Sequence, residues 1–154
     1  MPIKENKKAP PFTGFDQNGK TISLSDFAGK KLILFFYPKD DTPTCTTEAC
    51  NLSDNYKNLR NKGFEIAGVS ADSIKQHNKF ATKHGFDFSL IADTERKIIN
   101  AYKVWGEKML FGKKYMGIIR TTFIIDEQGV IEKVFEKIDA ENHTQQILKS
   151  YTKK

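Results

Sequence analysis

This chain lacks most of the features that would divide, anchor or staple it. No stretch approaches the about 18 consecutive apolar residues that a membrane span needs, so no bilayer-crossing helix is expected. The segment from Met1 to Pro11 is polar and carries no apolar leader core, which makes a cytoplasmic location the expectation. Repeats, low-complexity tracts and Gly/Ser-rich linkers are absent. The 154 residues are therefore expected to form one domain, 1–154. Only three histidines occur, His77, His84 and His143, and their dispersal matches no finger spacing, so no metal and no other cofactor is expected. Cysteine is equally scarce, with only Cys45 and Cys50. In a reducing compartment such a pair is more often catalytic, redox-active or metal-binding than a static cross-link.

What is present is an ordinary globular balance, 38% hydrophobic and 29% charged, with 12 Phe to fill a core. Lys and Arg number 25 against 19 Asp and Glu, a net charge of +6, which raises the question of nucleic-acid or anionic-surface partners. The clusters Lys7-Lys8, Lys30-Lys31, Lys113-Lys114 and Lys153-Lys154 are too short to form a binding tract. The basic residues read as a solvated surface, with no nucleic-acid and no membrane partner.

Asn18-Gly19 between Phe12–Phe15 and Thr21–Leu24 predicts an N-terminal β-hairpin. Ser25 to Gly29 reads as a short helical turn. The unbroken apolar run from Lys31 to Tyr37 predicts a central strand buried on both faces and ended by Pro38. Thr42 is suited to cap a helix whose first turn takes Pro43 and which runs to about Lys62, closed by Gly63. A strand over Phe64–Ser70, a helix over Ser73–His84 and a short strand over Phe88–Ile91 follow. The helix carries Ile74, His77, Phe80 and Ala81 on one side. Asp93 can cap a helix to about Tyr102. Val104–Gly117 reads as a loop, Ile118–Ile125 and Val130–Glu136 as a hairpin around Asp126–Gly129, and Ala140–Tyr151 as a final helix. This order implies an α/β fold with one antiparallel region. Sites in such sheets lie at the carboxyl ends of strands, and the strand ending at Tyr37 leads the chain to Cys45.

The thiolate, not the thiol, is the nucleophile. Cys45 falls in the first turn of the predicted helix, where unpaired N–H groups and the helix dipole favour an anion. The Thr42 hydroxyl, three residues earlier, can donate to sulfur or to a bound oxygen. The competing reading is a small buried cysteine, but the polar stretch Asp40–Thr47 is unlike a core segment. Cys50 lies five residues on. An ideal helix would separate the two by about 7.5 Å of rise and roughly 140° of rotation. A disulfide usually needs Cα atoms within about 4.4–6.8 Å. The pair can bridge only if the first turns unwind, and Cys50 by itself reads equally as an inert core thiol.

Pro38-Lys39-Asp40-Asp41-Thr42-Pro43-Thr44-Cys45 resembles the P-x-x-x-T-x-x-C active-site motif of peroxiredoxins. The longer string from Phe35 through Cys50 is similar to the peroxiredoxin Q, or bacterioferritin comigratory protein, branch. So are Val104–Lys108 and Gly117–Asp126. The resemblance extends from about Ala9 to Tyr151. It implies a thioredoxin-like fold, with a central mixed β-sheet flanked by helices. It implies Cys45 as peroxidatic nucleophile, Thr42 and Arg120 as contacts to the peroxide, Pro38 as a shield over the sulfur and Cys50 as resolving cysteine. Glu48 could orient Arg120, against a reading as a solvated helix residue. Tyr37 could pack at the site, against plain core packing. One departure is Thr44 where many relatives carry glycine, which bears on local flexibility and substrate access.

The implied reaction is reduction of hydrogen peroxide or organic hydroperoxides through a Cys45 sulfenic acid and a Cys45–Cys50 disulfide, recycled by a thioredoxin-like reductant in a monomeric protein. Two rival classes are weighed. A general thiol–disulfide oxidoreductase without peroxidase activity is disfavoured because Cys45 and Cys50 do not form C-x-x-C. A non-catalytic binding module would use the basic surface.

Overall fold

The computed structural model describes residues 2–151, so Lys153 and Lys154 lie outside the described residues. The N-terminal hairpin forms as the Asn-Gly turn dictates. β1 (Thr13–Phe15) pairs antiparallel with β2 (Thr21–Ser23), and Asp16 Oδ1 accepts from the Asn18 and Lys20 amides across the turn. A 3-10 turn over Leu24–Phe27 leads into β3 (Lys31–Phe36), five of whose six residues are buried. β4 (Phe64–Ser70) and β5 (Ser89–Ala92) add parallel strands on one side of β3. β8 (Thr121–Ile125) and β9 (Ile131–Phe135) add antiparallel strands on the other. The sheet order is β2-β1-β5-β4-β3-β8-β9, which places β3 deep in a mixed sheet.

Strand periodicity explains the two cores. Leu32, Leu34 and Phe36 point to one face and join Val69, Ile99, Tyr102 and Phe123. Ile33, Phe35 and Tyr37 point to the other and join Leu52, Leu59, Phe80, Phe88 and Ile147. The second cluster includes Cys45, so the reactive-site helix is seated directly on the β3 face. α1 (Pro43–Asp54), α2 (Tyr56–Asn61), α3 (Ile74–His84) and α5 (His143–Lys149) contribute to that face. α4 (Lys97–Ala101) covers the opposite one.

Four expected boundaries change. The helix expected over 43–62 breaks at Asn55 (φ −106°, ψ 7°), whose side chain donates to the Asn51 carbonyl at 2.7 Å. That local bond competes with helix continuation. The helix after Asp93 contracts to α4, whose N-cap is Arg96 in a left-handed backbone (φ 60°) rather than Asp93; Asp93 Oδ2 still accepts from the Ile99 amide at 2.8 Å. The last helix opens with a 3-10 turn over Ala140–Asn142.

The fourth change is the largest. The segment read as a loop is a two-stranded antiparallel ribbon, β6 (Trp105–Leu110) and β7 (Lys113–Ile118). Its turn residues Phe111 (φ 52°) and Gly112 (φ 78°) both have positive φ, the geometry that two-residue hairpins favour. A phenylalanine in the first turn position hid the signal. The ribbon also takes Ile118 from the expected strand 118–125, which begins only at Thr121 and keeps its end at Ile125. Ile119 and Arg120 leave both ladders before β8 begins.

Gly68 on β4 lies beside Phe35, and an added Cβ would sit 2.8 Å from Phe35 Cζ and 3.0 Å from Leu90 Cδ2. Gly68→Ala should therefore overpack this face at a cost of about 1–3 kcal/mol. A lowered urea midpoint measures that cost. An unchanged midpoint would mean that Phe35 yields freely.

Candidate active site

The site forms where β3 ends. Tyr37 extends the ladder by one bond, its amide donating to Val69 at 3.1 Å, and Pro38 then turns the chain out. The Pro38–Thr42 loop is held from below. Asp40, nearly buried, accepts from the Tyr37 hydroxyl on Oδ1 at 2.5 Å and from His77 Nδ1 on Oδ2 at 2.6 Å. His77 Nε2 meets the Ile91 carbonyl at 3.0 Å, so both ring nitrogens face oxygen atoms of the protein. The Asp40 amide donates to Asp72 Oδ2, which also accepts from Ser70 Oγ. Asp40, Asp72 and His77 lie close enough together to suggest an ion site. Their facing atoms are instead engaged with one another and with protein groups, which makes the cluster a polar clamp on the loop.

Thr42 has the extended backbone of a cap (φ −91°, ψ 155°), and its carbonyl accepts the Thr46 amide at 2.8 Å. Its hydroxyl makes no cap bond and donates to the Lys39 carbonyl at 2.8 Å. With the proton committed there, the lone pairs of Oγ1 remain to accept from a ligand. Pro43 starts α1, and Cys45 is its third residue, among the N–H groups that have no intrahelical acceptor. Sγ is buried and accepts a hydrogen bond from Arg120 Nη2 at 3.2 Å. The other arm of the guanidinium, Nη1, donates to Glu48 Oε1 at 2.9 Å. Arg120 thus forks between sulfur and carboxylate, from the two-residue break between β7 and β8. Burial works against its charge, and the Cys45 sulfur and Glu48 more than offset it, holding the guanidinium above its ordinary range.

Glu48 is fully buried, not solvated. Burial pushes its carboxyl up to about 7, although Arg120 pulls the other way. Its second oxygen, Oε2, has no hydrogen-bond partner among the described residues and lies 3.5 Å from His143 Nε2. Burial drives His143 down to about 4, so at neutral pH the ring is uncharged. Its Nδ1 donates to Gln146 Oε1, and Nε2 accepts from the Thr122 hydroxyl, both at 2.9 Å. The 3.5 Å contact is therefore a meeting of two acceptors rather than an ion pair.

The structure brings Cys45, Arg120 and Glu48 into direct contact and sets Thr42 and half-buried Pro38 on the loop beside them. Tyr37 is buried in the aromatic cluster, stacked on Phe35 at 5.3 Å, and serves the site through Asp40. Cys50 does not meet Cys45. Both lie in the intact α1, and Cys50 Sγ instead faces His84 Nδ1 at 3.8 Å. Sequence reasoning missed Asp40, His77, His143 and Thr122. The one available signal was His77, which shares an apolar helix face with Phe80 and Ala81. Lys108 on β6 was also missed. Burial and the nearby Arg120 lower its pKa while the Cys45 thiolate opposes them, so the ribbon reaches the site electrostatically.

A family model described as the AhpC/TSA family matches residues 6–134. The chain is 45% identical over 148 residues to a protein named "Putative peroxiredoxin bcp" from Coxiella burnetii, spanning 96% of this chain and 98% of that one. It is 43% identical over 150 residues to Peroxiredoxin Bcp of Bacillus subtilis, spanning 97% and 96%. A solved structure of Xanthomonas campestris bacterioferritin comigratory protein, determined in connection with its alkyl peroxide reduction activity, matches with a TM-score of 0.84. That match has 33% identity and covers 90% of this chain and 88% of the other. The mixed sheet and its flanking helices are those of a thioredoxin-like fold. With its buried cysteine held by an arginine at a helix start, this chain belongs to the AhpC/TSA family, in the peroxiredoxin Q or bacterioferritin comigratory protein branch.

Proposed function

We propose that this chain is a thiol peroxidase in which Cys45 reduces hydroperoxides and Cys50 resolves the product. The observation that carries the reading is the 3.2 Å hydrogen bond from a half-buried guanidinium to a buried sulfur at a helix N-terminus. Both features favour the thiolate. The sulfur attacks one peroxide oxygen, the S–O bond forming as the O–O bond breaks. The departing hydroxide or alkoxide takes a proton, leaving a Cys45 sulfenic acid. Arg120 and the free N–H groups of the first helical turn stabilise the oxygen charge as it develops. Thr42 Oγ1 accepts from the peroxide O–H, and Pro38 covers the sulfur.

Resolution needs α1 to open, because an ideal helix separates its two cysteines by about 7.5 Å of rise. Cys50 then attacks Cys45 and water leaves. A thioredoxin-like dithiol restores both thiols by exchange. The Xanthomonas relative's association with alkyl peroxides supports organic hydroperoxides as substrates alongside hydrogen peroxide. A monomer in the cytoplasm, supplied by the thioredoxin system, is the setting this reading assigns.

Three outcomes test it. Cys45→Ser should abolish peroxide-dependent NADPH oxidation in an assay coupled through thioredoxin and thioredoxin reductase; retained turnover would sink the proposal. Cys50→Ser should consume about one equivalent of peroxide and then stop, and mass spectrometry should find the Cys45–Cys50 bond only in the parent protein. Glu48 is charged only above about 7, so its charged hold on Arg120 is lost as pH falls through that value. Glu48→Gln should thus match the parent near pH 5.5 and fall behind, by roughly tenfold, at pH 8. Parallel pH–rate profiles would deny Glu48 this role.

A further inference from the structure

Cys50 is half-buried on α1, and it has a neighbour that the peroxide-reducing site does not use. His84, the last residue of α3, places Nδ1 3.8 Å from Cys50 Sγ. The ring is fixed, stacked on Phe86 at 5.4 Å and edge-on to Phe80 at 5.3 Å. Its other nitrogen, Nε2, is buried without a hydrogen-bond partner among the described residues and faces Asp41 Oδ1 at 3.7 Å. Asp41 stands on the Pro38–Thr42 loop with a left-handed backbone (φ 61°) and also holds Lys83 at 3.0 Å. If Nδ1 accepts the thiol proton, Nε2 carries the ring hydrogen and directs it at a carboxylate.

We propose that Cys50, His84 and Asp41 form a relay in which His84 is the base that ionises the resolving thiol. The inference rests on the reading of Cys50 as resolving cysteine. Burial and Asp54 push the Cys50 thiol up, so without a base it would be a poor nucleophile at neutrality. The charged groups around the pair are Asp54 on α1, Lys83 on α3 and Asp41 on the loop. As the first turn of α1 opens, the Cys50 proton passes to Nδ1. The thiolate attacks the Cys45 sulfur, the S–S bond forms and the S–O bond breaks. The leaving hydroxide takes the proton back from the imidazolium and departs as water. Cys50 is oxidised and the sulfenic acid reduced, with no other redox partner. While the ring is cationic, Asp41 balances its charge.

Two measurements separate this relay from the resolving role itself. The first is iodoacetamide alkylation of Cys50 at pH 7 in a Cys45→Ser background, which needs no disulfide. His84→Phe keeps the rings packed and removes both nitrogens; alkylation should slow about tenfold, the effect of one unit in thiol pKa. The second is disulfide formation after one equivalent of peroxide. It should slow about 10²-fold in His84→Phe and in His84→Asn, which offers an acceptor but no base. Asp41→Asn should give a smaller loss in both. Parent-like rates in the His84 variants would overturn the relay. If the parent protein forms no Cys45–Cys50 bond, the resolving reading fails, and the alkylation comparison still decides whether His84 ionises Cys50.

Discussion

The fork of Arg120 is the interaction on which the rest of the site depends. One guanidinium donates to the Cys45 sulfur at 3.2 Å and to Glu48 at 2.9 Å, and both of those side chains are buried. An anionic sulfur out of contact with water is costly unless a cation is hydrogen-bonded to it. Arginine suits the task because it keeps its charge at every relevant pH and can donate in two directions at once. Lysine at this place would offer a single point charge and could not hold both partners in a plane. Arg120 stands in the two-residue break between β7 and β8, outside both ladders.

The surrounding fold keeps that fork aimed. β3 is buried on both faces and delivers the chain to the site at a fixed height, and α1 is seated on its Phe35 and Tyr37 face through Cys45, Ala49 and Leu52. Between strand and helix, the loop is fastened by the Asp40–His77 pair and by Asp72 rather than by apolar packing. Such fully engaged buried networks favour one geometry over near alternatives. On the far side of the fork, Glu48 meets the neutral His143, and its own charge is lost below about 7. The two polar clusters differ in kind. The Asp40 cluster is closed, whereas Glu48 keeps an oxygen without a partner among the described residues.

The proposed chemistry at two sulfurs asks for a structure that first separates them and then lets them meet. In the form described, α1 is intact through both cysteines. Its amino end rests on an N-cap whose hydroxyl is spent on the Lys39 carbonyl rather than on the helix. An N-terminal turn without that side-chain bond has less holding it than a capped one, since such caps typically contribute about 1 kcal/mol. The first turn is thus the part of α1 best suited to open. Cys50 stays against α3 and the aromatic group of Phe80 and Phe86.

Much of this was legible in the chain itself. The run Leu32–Tyr37 could only be a strand covered on both faces, Asn18-Gly19 could only turn a hairpin tightly, and Pro43 after Thr42 marked where a helix begins. These are local effects of backbone geometry and side-chain period, and they suffice to put Cys45 at a helix start. The ribbon over 105–118 was not legible, because its turn rests on Phe111 adopting a positive φ that its side chain does not advertise. The contacts of the three histidines were also hidden. Nothing in their spacing tells that His77 binds Asp40, that His84 faces Cys50, or that His143 crowds Glu48, for these partners lie 34 to 95 positions away. The local chain determined which sulfur could become an anion. Only the closing of the sheet, which brings position 120 beside position 45, decided what holds that charge, since long-range pairing depends on how whole elements pack and not on the residues next in line.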